Sequence, residues 1–268
     1  MKLIHSLRRF ITGVRRNLNY SNGWQICFDR IFRPDAKLAH FIWQGRYYFV
    51  VDPSVRDHLS LHEVFNARVY DPYLAACLLP GREIRYVNVG ANVGAFDVKL
   101  LEFGFRIKAG VAAELNPYTF ERCQVNFHAN AVPTKLINVG VAGAAATIDF
   151  RPSPGSLSDS IYAPAGAPSE RAVPVRLLTL DSLLAGHTEG ESEFDLIKLD
   201  CEGAEYPILR QTPVEVLRRF RYLIVEFHRE PSGESLAAAS EALHAAGFVG
   251  RYRGPRNLPF VDFFTRSG

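Results

Sequence analysis

With 268 residues, 47% of them hydrophobic and 22% charged, the chain has the makings of one large α/β domain or one domain with a modest extension, and wholesale disorder is excluded. A formal net charge of +3 is too small to argue for a nucleic-acid partner. The four cysteines (Cys27, Cys77, Cys123, Cys201) form no C-x-x-C pair, so neither a zinc site nor a disulfide framework is indicated, and a reducing, cytoplasmic compartment fits.

The first twenty residues, MKLIHSLRRFITGVRRNLNY, lack the apolar core and cleavage site of a signal peptide, and no apolar run in the chain reaches the roughly 18 residues of a membrane span. Leu3, Leu7, Ile11, Val14 and Leu18 recur at helical spacing, while Lys2, Arg8, Arg9, Arg15 and Arg16 point elsewhere. The expected element is a basic amphipathic helix packed on its own domain. The same face would suit peripheral contact with the anionic inner surface of a membrane.

A hairpin follows in FIWQGRYYFVV, with two aromatic, β-branched runs either side of Gln44-Gly45, and DPYLAACLLPG reads as a helix stopped by Pro80-Gly81. Residues 1–80 are thus an N-terminal extension to a domain over 81–268. From residue 84 strand and helix alternate. IRYVNVG is a strand, Ala95 to Phe103 a helix, IKAGVAAEL a strand, and Pro117 to Ala129 a helix. TKLINVGVAG, ATIDF and EFDLIKLD are strands, Ala204 to Phe220 a helix broken by proline, and RYLIVEF a strand. A helix over Glu234 to Ala246 leads to two short-linked and therefore antiparallel strands, FVGRYR and PFVDFFT. Such alternation predicts a mostly parallel sheet with helices on both faces. Residues 151–174, rich in proline and serine and without apolar period, break the rhythm and read as a lid.

Two stretches carry chemistry. In VNVGANVGAF a strand runs into a turn punctuated by Gly90 and Gly94, where backbone can approach a ligand and the next helix offers free N–H groups. Glu114 ends the following strand, where a carboxylate can accept hydrogen bonds from both hydroxyls of a ribose. The ligand is adenosine-like. The absence of G-x-G-x-x-G counts against NAD, and the absence of G-x-x-x-x-G-K-[ST] against a nucleoside triphosphate. In IKLDCEGAEYPIL a buried strand ends among Lys198, Asp200, Glu202 and Glu205, and like charges that close raise one another's pKa. Glu205 has a structural role in the first turn of a helix. Asp200 and Glu202 have none, and fall at the same sheet edge as Gly90 and Glu114. Glu226 and His228, two apart at the end of the next strand, face the same way, with Glu226 placed to orient His228 as a base. Three acids and a histidine would also suit a divalent metal, although no ligand spacing specifies one.

Taken in order, VNVGANVGAF, AAELNPYTFERCQVNFHAN, VRLLTLDSLL, FDLIKLDCEGAEYPILR and YLIVEFH resemble the FkbM-type S-adenosylmethionine-dependent methyltransferases over roughly residues 84–228. The resemblance implies a class I methyltransferase fold, Rossmann-like, with a seven-stranded sheet whose last strand is antiparallel, and O-methylation of a hydroxyl on a sugar, glycan or natural product. It implies that Asn88, Gly90, Asn92 and Gly94 line the methionine part of the cofactor, that Glu114 takes the ribose and Asn116 lies beside the adenosine, and that Asp200, Glu202, Glu226 and His228 face the acceptor. There are departures: Asn88 stands where the family usually has Asp, Leu115 where it often has Pro, and no acid follows INVGVAG. An NAD-dependent sugar dehydrogenase and a non-catalytic scaffold of the same fold are the alternatives. Nucleic acid is not expected as substrate, since no basic cluster lies with aromatics across the ligand edge, Arg251, Arg253 and Arg256 being the residues to check.

Overall fold

In the computed structural model, residues 11–152, 160–161, 172–188, 190–253 and 259–266 are described. Residues 11–17 are helical, and the helix Gly23–Phe32 leads into the hairpin β1 (Ala39–Trp43) and β2 (Tyr47–Val51). Gln44 and Gly45 both take positive φ in the tight turn, the conformation whose twist matches paired strands. Among the described residues, the outer edge of β2 pairs with no other strand. The side chains of Asn126 and Asn130, one turn apart on the helix Pro117–Ala129 and its cap, donate to the carbonyls of Val50 and Tyr48 and accept from their amides. Two side-chain amides thereby stand in for a neighbouring strand and satisfy the edge.

The main sheet is built from β3 (Glu83–Val89), β4 (Arg106–Glu114), β5 (Lys135–Asn138), β9 (Phe194–Leu199), β10 (Phe220–Phe227), β11 (Phe248–Arg253) and β12 (Phe260–Arg266). Its order is β11-β12-β10-β9-β3-β4-β5, a seven-stranded sheet. Strands β5, β4, β3, β9 and β10 are parallel neighbours, and β12 runs antiparallel between β10 and β11. This is the class I methyltransferase topology that the sequence predicted. One expectation needs refinement: TKLINVGVAG and ATIDF do not all join this sheet. Only β5 does, while β6 (Gly140–Val141), β7 (Ala146–Phe150) and β8 (Val173–Leu178) form a separate three-stranded sheet. The proline-broken helix is two short helices, Glu205–Gln211 and Val214–Leu217, parted at Pro213.

Each face of the main sheet has its own apolar layer. One includes Tyr86, Phe96, Val98 and Phe127 together with Phe41, Trp43, Phe49, Leu61 and Phe65, so the N-terminal extension is continuous with the core on that face. The other packs β9 and β10 against the helices Leu180–His187, Glu205–Gln211 and Leu236–Ala245. Strand order reverses between β4 and β9 around β3, and the parallel register brings Val89, Ala113 and Leu199 level. The carboxyl ends of β3, β4, β9 and β10 therefore form one edge, the place where a crevice opens in such sheets.

Candidate active site

A cavity of about 400 Å³ opens at that edge. Its first wall is the turn after β3. Gly90 and Asn92 both lie in the left-handed region, φ 82° and 51°, which glycine and asparagine enter at least cost. At Gly90 the reason is close approach: a Cβ would lie 1.8 Å from the Asp200 carbonyl oxygen, so this turn and the one after β9 fit only if residue 90 is glycine. Glu114, at the end of β4, is anchored on both oxygens, accepting from the Asn92 amide at 2.8 Å and the Asn116 amide at 2.9 Å. These bonds hold its carboxylate at the cavity wall.

Three residues expected beside the cofactor do not line the cavity. Asn88 is fully buried, and its Nδ2 donates to Asp97 Oδ2 at 2.8 Å. At Gly94 a Cβ would meet the Phe127 ring at 2.8 Å and Cys123 Sγ at 3.2 Å, so that glycine serves helix packing behind the turn. Asn116 caps the helix Pro117–Ala129, accepting from the Tyr118 and Thr119 amides. All three shape the wall without forming its surface.

The second wall gathers charge. Asp200, Glu202, Glu226 and His228 all line the cavity, joined by Lys198 and, from the N-terminal layer, by Glu63 and Tyr70. Lys198 Nζ, buried, donates to Asp200 Oδ2 at 2.8 Å and to the Gly90 carbonyl at 3.1 Å, tying the two turns together. Glu202 sits at φ 54°, a left-handed conformation that glutamate seldom adopts, and its carbonyl accepts from Ser160 Oγ. Most of the lid expected over 151–174 lies outside the described residues, as does Arg256; of the described part, Ile161 also lines the cavity.

His228 is oriented, but not by the residue expected. Its Nδ1 lies 2.9 Å from Glu205 Oε1, and that carboxylate, itself fully buried, also accepts from the Cys201 and Gly203 amides. Nε2 then faces Glu202 at 3.5 Å and both Asp200 and Glu226 at 3.9 Å. Glu226 flanks the imidazole instead of orienting it, and receives the Tyr70 hydroxyl at 3.5 Å. Burial disfavours charge on His228, yet the hydrogen bond to Glu205 and the charges of Glu205, Asp200 and Glu202 outweigh it and hold the imidazolium up to about 10. Burial, reinforced by Asp200 and Glu63, lifts Glu226 to about 8.

Spacing along the chain gave no sign of Glu63 or Tyr70, which reach the cavity only because the extension packs on the sheet. Lys198 did leave a signal, a lysine inside the apolar strand DLIKL. Glu205 was visible but was assigned to its helix alone.

The methyltransferase FkbM domain matches residues 88–249, more than half of the chain. The chain belongs to the FkbM methyltransferase family. No curated protein matches it in sequence. Among solved structures it is similar to the FkbM methyltransferase from Methylobacillus flagellatus KT, with 13% identity over 81% of this chain and 56% of that chain and a TM-score of 0.49. It is also similar to the precorrin-6y C5,15-methyltransferase from Geobacter metallireducens GS-15, with 14% identity, 75% and 88% coverage and a TM-score of 0.43. The N-terminal domain of human METTL16 in complex with SAH gives 14% identity, 76% and 68% coverage and a TM-score of 0.41.

The methyl donor of this FkbM methyltransferase is S-adenosylmethionine, and family membership removes the dehydrogenase alternative. The cavity fits such a donor: backbone at Gly90–Asn92 is free of bulky side chains, Glu114 is fixed at the wall, and the acidic second wall favours a sulfonium cation. Asp200, Glu226 and His228 offer one ligand atom each, all within 4.8 Å of one another, a spacing a divalent cation can use. Here those atoms face one another, and Lys198 already pairs with Asp200. No helix among the described residues is long and apolar enough to cross a membrane.

Proposed function

We propose that this methyltransferase is an O-methyltransferase whose acceptor is a neutral, polyhydroxylated molecule: a sugar, a glycan or a hydroxylated natural product. The observation that carries this reading is the group of four carboxylates on the second wall, Glu63, Asp200, Glu202 and Glu226, which with Glu114 share one cavity whose cations, among the described residues, are Lys198 and His228. A wall with excess negative charge repels carboxylate and phosphate acceptors, whereas carboxylates accept hydrogen bonds from several hydroxyls at once.

The bound cofactor supplies an electrophilic methyl group on its sulfonium. The protein supplies position and proton handling. Glu114 would hold the ribose hydroxyls, and the Gly90–Asn92 turn would take the methionine part. A hydroxyl is a poor nucleophile until its proton leaves. His228, expected as the base, keeps its own proton at neutral pH and acts as a fixed cation beside the reacting oxygen. Glu226, lifted to about 8, changes charge in the working range and takes the proton.

Methyl transfer from labelled cofactor to a panel of neutral sugars, sugar phosphates, uronic acids and amines tests the assignment. Transfer to neutral hydroxyls, with kcat/KM rising through pH 8 and that rise lost in Glu226→Gln, supports it. Transfer to an amine, a carbon or a nucleic-acid base would overturn it.

A further inference from the structure

We propose that the helix Gly23–Phe32 is a docking element that seats the protein on the surface of a bilayer rich in anionic phospholipid. Trp24, Phe28, Ile31 and Phe32 recur at i, i+4, i+7 and i+8, so they form one stripe, and all four are exposed, Trp24 at 76% and Phe32 at 66%. The phenyl rings of Phe28 and Phe32 lie against each other with centroids 4.5 Å apart. Core packing does not explain the stripe, because the helix has a second, inward side: Ile26 is buried, and Gly23 lies so close to the Asn17 and Leu18 backbone that it admits no side chain. The preceding segment, helical over 11–17, and the turn after it add to the outer surface. Ile11 and Leu18, expected to pack inward, are exposed at 42% and 38%.

Charge selects the occupant. The stripe lies in a basic segment: Arg15, Arg16, Arg33 and Lys37 are exposed, and Arg30, also exposed, stands on the opposite side of the helix. Residues 1–38 carry eight Lys and Arg against two Asp, a net +6 that leaves the rest of the chain at −3. A second copy would bring this same basic segment against itself, and like charges at such an interface are repulsive. An anionic phospholipid surface attracts the segment and takes up Trp and Phe at headgroup depth. A helix of ten residues is about 15 Å long, so it lies in the interface and does not span it. It is also firmly attached: Asn22 donates to the His40 carbonyl and accepts from the Ile42 amide, and Ser21 donates to the Ile42 carbonyl. The layer so anchored is the one that supplies Glu63 and Tyr70 to the cavity.

The test is co-sedimentation of the full chain with vesicles of phosphatidylcholine alone and of phosphatidylcholine with about 30% phosphatidylglycerol. Circular dichroism and melting curves check that the variants fold. The expected result is binding to the anionic vesicles only, with a blue shift of Trp24 emission; Trp43 is buried and provides the unshifted background. W24S/F32S should lower partitioning more than tenfold, and R33E or K37E roughly fivefold each, as should a rise in salt. Absence of binding, equal binding to both vesicles, or binding that survives W24S/F32S would overturn the proposal. A dimer by light scattering that W24S/F32S dissolves would assign the face to a second copy instead. Protection of Trp24 from acrylamide in the free protein would assign it to the chain's own first ten residues.

Discussion

Asn88 stands where the family usually has aspartate, and restoring the acid is the most informative single change to the glycine turn. Asn88 and Asp97 are both fully buried, with Nδ2 donating to Oδ2 at 2.8 Å and the Asn88 Oδ1 without a hydrogen-bond partner among the described residues. Burial already pushes Asp97 up to about 6, against the opposing pull of its bonds from Tyr86 and Asn88. Asn88→Asp replaces that donor with a second acceptor, and two carboxylates this close cannot both ionise, so the folded pair must keep one extra proton. Holding a proton at pH 7 on a group that releases it near 3.9 when unfolded costs about 4 kcal/mol. A carboxyl–carboxylate hydrogen bond returns about 1–2 kcal/mol, for a net loss of roughly 2–3 kcal/mol. The sign follows from linkage: between pH 4 and 7 the folded variant binds a proton that the unfolded chain has released, so stability falls as pH rises. Urea unfolding of both proteins at pH 5 and pH 7.5 should show a gap at the higher pH that narrows at the lower, with the cofactor affinity of the folded variant nearly unchanged. A variant as stable as the parent at both pH values, or one that binds S-adenosylmethionine more tightly, would refute the placement of Asn88 behind the cavity.

Other expectations can be checked with the same preparations. Glu114→Gln puts an amide where the Asn92 and Asn116 amides now meet a charge, and calorimetry should show cofactor affinity falling about tenfold or more. Glu205→Gln removes the charge that fixes His228, so kcat should fall by over an order of magnitude and the His228 NMR titration should move down from about 10, while cofactor affinity stays within about twofold. His58 and His62 are held neutral by burial, lowered to about 4 and about 3. Because the unfolded chain protonates them first, their contribution to stability is intact above pH 6.5 and lost as pH falls toward 4. The melting temperature should therefore fall over that range, less steeply in His58→Gln.

The main sheet was legible because its strands are buried on both faces and its helices sit between them at regular intervals. The hairpin was equally clear from the aromatic, β-branched runs on either side of Gln44-Gly45, the two residues that take positive φ in its turn. What sequence could not separate was pairing partners: β6, β7 and β8 have ordinary strand composition, and only the tertiary arrangement places them in a sheet of their own. In the site, motif spacing found the right turns but could not say which way each side chain faces. Gly90 and Gly94 look equivalent in VNVGANVGAF, yet one clears the Asp200 backbone at the cavity and the other clears Phe127 in the core. Glu226 and Glu205 looked like the orienting and the structural acid respectively, but it is Glu205 that meets His228 Nδ1 at 2.9 Å, in addition to its backbone bonds, while Glu226 lies 3.9 Å from Nε2. Glu63 and Tyr70 lie more than a hundred residues from His228 and meet it only through packing of the N-terminal layer.

The central proposal is that Glu114 secures S-adenosylmethionine while Glu226 takes the acceptor proton beside the His228 imidazolium in the same cavity. Parallel titration of wild type, Glu114→Gln and Glu226→Gln with S-adenosylhomocysteine, followed by single-turnover methyl transfer at saturating cofactor, tests it most directly. The account predicts weakened binding in Glu114→Gln alone, and in Glu226→Gln near-normal binding with a methyl-transfer rate lower by about two orders of magnitude or more. Loss of binding in Glu226→Gln with an unchanged transfer rate at saturation would contradict it.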